Sequence, residues 1–327
     1  MRELKQPRSK SPGKQRQDPS RNEERAKDFY LSESHTDSHA TSTKRTEEKY
    51  MNPILKWVGG KSQMKNALLE QMPQFTGRYY EPFVGGGALF FELEPKQAVI
   101  GDLNSQLINF YTQVRDSLDG LKHELEVLEA AYNSADTEGQ KILYYFLRDK
   151  YNACIANDIL NVRSAALFLF LNRTCFNGLY RVNKKSAFNA SWGKRKSVEF
   201  HLGNLETVSC LLSTASIFNR DFEETCEDAK AGDFVFLDPP YEGLFCGYQK
   251  DKFSGSGNRL FDLYERLTHK GVYCMLTNTF SPEIREMFSD YSVTPISVHY
   301  NISRDAGTRS GKTEALVCNW ITEKAVF

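Results

Sequence analysis

The chain has 327 residues, and its 42 Lys plus Arg are balanced by 42 Asp plus Glu. That zero net charge argues against a simple nucleic-acid coat but leaves room for a local basic face. No apolar run approaches the roughly 18 residues needed to span a bilayer, the longest candidate being AALFLFL (165–171). No charged segment leads into an apolar one as in a secretory signal, so an intracellular protein is expected. Seven cysteines, none spaced C-x-x-C, fit reduced thiols rather than a disulfide framework.

Residues 1–50 are rich in Lys, Arg, Glu, Ser and Pro and hold almost no aliphatic side chains. Such a segment cannot bury enough apolar area to order itself. It is predicted to be a disordered tail, with Met51 a candidate alternative start. His35 and His39 lie in it without the third ligand that a metal site needs, and no metal is predicted. Ser62 to Met72 reads as a helix, RYYEPF (78–83) as a strand, Gly85 to Gly87 as a turn, ALFFEL (88–93) as a short helix and QAVIGD (97–102) as a second strand. Residues 104–171 read as several helices, and NGLYRVNKKSAFN (177–189) as a loop and hairpin. ASIFNRDF (215–222) and DFVFLD (233–238) are strand-like, and a polar, glycine-rich loop follows over 242–258. A helix (259–269), the strand GVYCMLTN (271–278), a helix (282–289) and two strands complete the chain. Strands alternating with helices predict an α/β sheet with crossovers. The catalytic part is assigned to 51–110 and 201–327, with 111–200 inserted.

The insert carries a charge anomaly. Between Asp158 and Glu199 no acidic residue occurs, while Arg163, Arg173, Arg181, Lys184, Lys185, Lys194, Arg195 and Lys196 do. Phe176, Tyr180, Phe188 and Trp192 are interleaved with them. Basic side chains hold phosphates and aromatic ones stack on bases, so this window predicts a nucleic-acid face rather than an ordinary solvated surface.

In YYEPFVGGGALFFEL a strand runs into three glycines and then a helix. That arrangement lets backbone approach a ligand closely. Asp102, at the end of the next strand, is placed to hold ribose hydroxyls. On this motif alone NAD, FAD and S-adenosylmethionine all remain open. Two other glycine–lysine stretches mislead. VGGKSQ (58–63) lacks the glycine that a P-loop needs five residues ahead of Gly60, where Leu55 stands. AGTRSGKT (306–313) meets a relaxed P-loop pattern, but the strand-like EALVCNW follows it, so it reads as a loop between the last two strands.

FVFLDPPY (234–241) ends an apolar strand in an acid, two prolines and a tyrosine. Prolines have no N–H, so the turn offers only carbonyls. Asp238 and the Pro239 carbonyl form a pair of acceptors, Pro240 stiffens the turn and Tyr241 provides a stacking face. Such a site suits a planar ligand bearing an amino group. The exocyclic N6 of adenine is a poor nucleophile because its lone pair is conjugated into the ring. Acceptors on both N–H bonds draw that pair back toward nitrogen.

KWVGGK (56–61), EPFVGGG (81–87), FNGLYRVNKKSAFNASWG (176–193) and DPPY (238–241) stand in one order. In that order they resemble the Dam-type DNA adenine-N6 methyltransferases of the D12 class, alpha group. The likeness runs from about Met51 to Trp320. It implies a Rossmann-like methyltransferase sheet with helices on both faces and an inserted, mainly helical target-recognition domain. It also implies S-adenosylmethionine as cofactor, double-stranded DNA as partner and adenine in GATC as target, the base being flipped into the pocket of Asp238, Pro239, Pro240 and Tyr241. By motif position, Trp57, Lys61, Glu81, Pro82, Phe83, Gly85, Gly87 and Asp238 lie at the cofactor, and Asp102 holds its ribose. Asp221 and Phe222 meet its adenine. Lys56, Asn177, Leu179 and Arg181 match positions that contact target bases, and Arg suits a bidentate contact to guanine. Ser191 departs from the pattern: NASWG stands here where enteric Dam enzymes have NVPFG, which bears on a flanking base pair.

An RNA adenine methyltransferase, a protein glutamine methyltransferase and a non-catalytic DNA-binding relative are the competing readings. The basic insert disfavours the second, and the intact Lys61, Asp102 and Asp238 disfavour the third. A cognate restriction endonuclease is a candidate partner, and the protein is expected to be monomeric.

Overall fold

In the computed structural model the described residues are 54–57, 59, 61–240, 259–298 and 312–321. The tail, Tyr241, the glycine-rich loop and most of the stretch around 306–313 lie outside them.

Seven strands form one sheet: β1 (Tyr79–Glu81), β2 (Ala98–Gly101), β3 (Ala215–Phe218), β4 (Phe234–Leu237), β5 (Tyr273–Thr279), β6 (Ser292–Val298) and β7 (Lys312–Cys318). Their order is β3-β2-β1-β4-β5-β7-β6. The first five are parallel, and β7 runs antiparallel to both β5 and β6. The predicted strands are all present, each shorter than its apolar run by the residues that turn at its ends.

Ten α-helices lie among the described residues: α1 (Lys65–Gln71), α2 (Ala88–Leu93), α3 (Ser105–Asp116), α4 (Leu118–Ser134), α5 (Thr137–Ala156), α6 (Val162–Thr174), α7 (Leu202–Leu212), α8 (Phe222–Thr225), α9 (Arg259–His269) and α10 (Pro282–Met287). The helix predicted from Ser62 begins as a 3-10 turn, Lys61–Gln63, before α1. Three of the larger helices start where side chains replace missing backbone acceptors. Asn104 caps α3, Asp136 caps α5, and Asn161 with Ser164 forms a capping box on α6.

The two sheet faces are buried in two layers. Tyr79, Ile100, Phe234, Phe236, Met275 and Leu316 face one layer, which continues without a break into Leu125, Leu128, Tyr144 and Phe168 of the insert. Tyr80, Val99, Val235, Leu237, Leu276 and Val317 face the other, against Leu263 and Tyr264 of α9. Strands β1 and β4 are neighbours although β2 and β3 intervene in sequence. Chain direction out of the sheet reverses between them, and in open α/β sheets ligands bind at the carboxyl ends beside such a reversal.

Candidate functional site

Side chains alternate along a strand, so parity places the functional groups. Phe234 and Phe236 face the insert-side layer, and continuing the alternation puts Asp238 on that face. Met275 and Leu316 carry Thr277 and Glu314 to the same face, and Tyr79 carries Glu81. Five polar groups thereby meet at one sheet edge once Lys61 arrives from the 3-10 turn. Its Nζ lies 2.9 Å from Asp238 Oδ1 and 3.4 Å from Glu314 Oε2, and donates to the Gly59 carbonyl at 3.3 Å. Lys61 and Glu314 are only 4% and 2% exposed. Charges so buried persist only where paired and hydrogen-bonded. The Thr277 hydroxyl also donates to Asp238 Oδ1, at 2.7 Å. Pro239 is buried and Pro240 exposed as the chain leaves the sheet.

Glu81 is buried, and Tyr79 OH donates to its Oε2 at 2.8 Å. Burial pushes its carboxyl up to about 8, Asp238 and Asp102 adding to the shift and the Tyr79 bond opposing it. Burial therefore favours the protonated form of Glu81. Pro82 is buried behind it. Asp102 accepts from Gly85 N through Oδ2 (3.1 Å) and from Asn104 N through Oδ1 (2.9 Å), which closes the glycine turn onto the end of β2. Burial raises the Asp102 carboxyl and those backbone donors oppose the rise. Gly85 has φ +46°, and a Cβ there would lie 2.7 Å from Trp57 Nε1. Only glycine fits the conformation with Trp57 laid over it. Trp57 stacks in turn on Tyr180 of the insert at 5.5 Å. Gly87 caps α2.

Across the edge, Phe83 stacks on Phe222 at 5.3 Å. Asp221 caps α8 by accepting from Glu223 N at 3.0 Å. Arg259 donates to Asp221 and to Glu223, each at 2.7 Å, with its guanidinium 4.9 Å from the Phe222 ring centre. The structure thus gathers Trp57, Lys61, Glu81, Pro82, Phe83, Gly85, Gly87, Asp102, Asp221, Phe222 and Asp238 along one rim. Tyr241 lies outside the described residues.

The residues matched to base reading also converge, from far apart in sequence. Asn172 on α6 accepts from Lys56 N at 3.0 Å and donates to Lys56 O at 2.8 Å and Gly178 O at 3.3 Å. It ties residue 56 to the 176–179 turn. Asn177 is exposed there with φ +58°, and Leu179 is half-buried. Partial burial lowers the Lys56 ammonium, and Arg195 and Arg173 lower it further. Arg181 is exposed and braced by Asn189, through Nε to Oδ1 at 2.7 Å and a terminal nitrogen to O at 3.1 Å. Ser191 is exposed, and its carbonyl accepts from Phe176 N at 2.8 Å. The predicted hairpin is held by two isolated bridges, Cys175 with Trp192 and Val182 with Phe188, not by a continuous ladder. Two cations of the basic window are engaged elsewhere: Arg163 pairs with Glu124 of α4, and the half-buried Arg173 donates to the Ile54 carbonyl at 2.6 Å. Lys184, Lys185, Lys194, Arg195 and Lys196 are exposed.

Sequence reasoning missed Thr277, Glu314, Asn172 and Asn189. No local signal marks the first two, because a Thr and a Glu in strands are unremarkable until the sheet order sets them beside Asp238.

A mostly parallel α/β sheet with a glycine turn and an acid-proline turn on adjacent strands beside its reversal, and a basic insert at the same edge, has the architecture of a methyltransferase that acts on a nucleic-acid base. Residues 57–302 match the D12 class N6 adenine-specific DNA methyltransferases, and the chain belongs to that family. It is 37% identical over 279 residues to the type II methyltransferase M1.LlaDCHI of Lactococcus lactis subsp. cremoris, covering 83% of this chain and 96% of that protein. Identity to the type II methyltransferase M.MjaIII of Methanocaldococcus jannaschii is 36% over 288 residues, 83% of this chain and 99% of the relative. A DNA adenine methylase of Haemophilus influenzae is 29% identical over 264 residues, 79% and 90% of the two chains. The fold class, family and enzyme class expected from the sequence are borne out. Among the described residues no helix is long and apolar enough to cross a membrane.

Proposed function

We propose that this adenine-specific DNA methyltransferase takes its methyl group from S-adenosylmethionine and places it on N6 of an adenine flipped out of double-stranded DNA, within GATC. The observation that carries this reading is the Asp238 carboxylate, held by Lys61 and Thr277 at the end of β4 and next to the glycine turn after β1. The rim fits the cofactor chemically. Acids outnumber cations along it, which suits a ligand with a sulfonium charge, and the Phe83–Phe222 pair beside Asp221 offers a base-sized apolar face with an acceptor. When bound, the cofactor would supply an electrophilic methyl group, its S–CH3 bond breaking as N6–CH3 forms, and would leave as S-adenosylhomocysteine.

In this reading Asp102 holds the ribose, Asp221 and Phe222 hold the adenine, and Trp57, Lys61 and residues 81–87 line the remainder. Asp238 and the Pro239 carbonyl accept the two N–H bonds of the target amine and draw its lone pair out of the ring. The proton leaves after methyl transfer, so no neutral-pH general base is required. Tyr241 stacks on the flipped base. Lys56, Asn177, Leu179 and Arg181 read the target bases, with position 191 acting on a flanking pair. Residues 111–200 serve as the target-recognition part, and 51–110 with 201–327 as the catalytic part. The exposed cations between Arg181 and Lys196 hold phosphates, which makes affinity fall steeply with salt. The protein works inside the cell on its DNA, as a monomer, with a cognate restriction endonuclease as the candidate partner.

The test is methyl transfer from labelled S-adenosylmethionine to unmethylated plasmid, followed by mapping of the modified adenines. Signal confined to GATC is expected. Signal at another sequence would overturn the GATC assignment and direct attention to Ser191. No signal in DNA would overturn the substrate.

A further inference from the structure

We propose that Thr277 is a positioning residue of the methyl-transfer site, one that fixes which oxygen of Asp238 faces the target amine. This rests on the function proposed above. Asp238 has two carboxylate oxygens that a rotation about Cβ–Cγ would exchange. Among the described residues both donors to it end on the same atom: Thr277 Oγ1 at 2.7 Å and Lys61 Nζ at 2.9 Å reach Oδ1. Oδ2 is left as the acceptor for an N–H of the base.

The two donors are not equivalent. Lys61 ends a flexible stem and is shared with Glu314, 3.4 Å away. Its ammonium is divided among Asp238, Glu314 and the Gly59 carbonyl. Thr277 is fully buried, and its branched side chain has few rotamers. It also stands on the strand beside Asp238, since Leu237 pairs with Leu276 in register. A stiff donor on a central strand sets the torsion more sharply than an ammonium shared among three acceptors. Orientation of this kind acts on the bound complex: it changes the rate of transfer and leaves substrate affinity alone.

The experiment compares Thr277→Val, which keeps the shape and removes the hydroxyl, with Thr277→Ser, which keeps the hydroxyl. Single-turnover methylation of an unmethylated duplex is measured at saturating S-adenosylmethionine, with separate dissociation constants for cofactor and DNA. The valine variant is expected to slow the bound-state rate by roughly tenfold to a hundredfold, with both dissociation constants within about twofold and the serine variant within about threefold of the parent. Thr277→Ala carries the same expectation where the valine variant does not fold. An unchanged rate in the variants lacking the hydroxyl, or a serine variant as slow as they are, overturns the positioning role. So does a loss confined to affinity. A parent enzyme that transfers nothing to adenine removes the proposed function and this role together. A parent that methylates normally beside an equally fast Thr277→Val removes only this role.

Discussion

The ammonium of Lys61 lies 2.9 Å from Oδ1 of Asp238, and the same ammonium reaches Glu314 at 3.4 Å. One buried cation thus joins β4 to β7, two strands separated in the sheet by β5. Asp238→Ala removes the acceptor for the target amine while Glu314 still partners the lysine. Methyl transfer is expected to fall by roughly 10²–10³-fold or more, as when one electrostatic contact to a reacting group is deleted. DNA affinity, measured by gel shift, is expected to persist. Unchanged turnover would sink the assignment of Asp238.

Lys61→Met leaves two carboxylates facing each other without their cation. Removing one partner from a buried charge network costs about 3–5 kcal/mol, so a clear fall in melting temperature is expected. Adding Glu314→Gln should recover part of that fall by removing one of the opposed charges. A double variant no more stable than Lys61→Met would show that the two carboxylates do not repel through this site.

Glu81 titrates near 8 in the folded protein against an ordinary value of 4.5. The folded state binds the extra proton between those values, so this group's contribution to stability is fully present below pH 4.5 and is lost as pH rises through about 8. Glu81→Gln, which mimics the protonated acid, is expected to melt with the parent at acid pH and several degrees above it in alkali. Melting curves across the range decide the matter; an offset that does not vary with pH would count against a buried, protonated Glu81.

Arg181 is braced by two hydrogen bonds to Asn189 at 2.7 and 3.1 Å. A bidentate arginine contact to guanine carries about 1–3 kcal/mol of discrimination. Arg181→Ala is therefore expected to lower the preference for the correct site by roughly tenfold or more. Asn189→Ala, which frees the guanidinium without deleting it, should give a smaller loss in the same direction. Sequencing methylated adenines across a plasmid reads both. A methylation pattern untouched by Arg181→Ala would show that this residue reads no base.

Much of the site was legible because its parts are local. The glycine turn, the acid ending β2 and the acid-proline turn ending β4 are each a few consecutive residues whose backbone chemistry can be read directly. The acid-free window of the insert is equally plain in the sequence, but the contacts that engage Arg163 with Glu124 and Arg173 with the Ile54 carbonyl are not. The sequence pattern predicts one helix from Ser62, whereas the chain makes a separate 3-10 turn that delivers Lys61 to Asp238.

By itself the sequence determined the alternation of strands and helices, the residue types at each strand end, and the motif order that marks the family. Those follow from side-chain periodicity and turn chemistry, which act over a few residues. Only the tertiary structure decided that β4 lies beside β1, that β7 enters between β5 and β6, and that Asn172 ties Lys56 to Gly178. Thr277 and Glu314 gain meaning only from those pairings. Strand order is set by packing two buried faces at once, across separations of many tens of residues, and no local pattern encodes it.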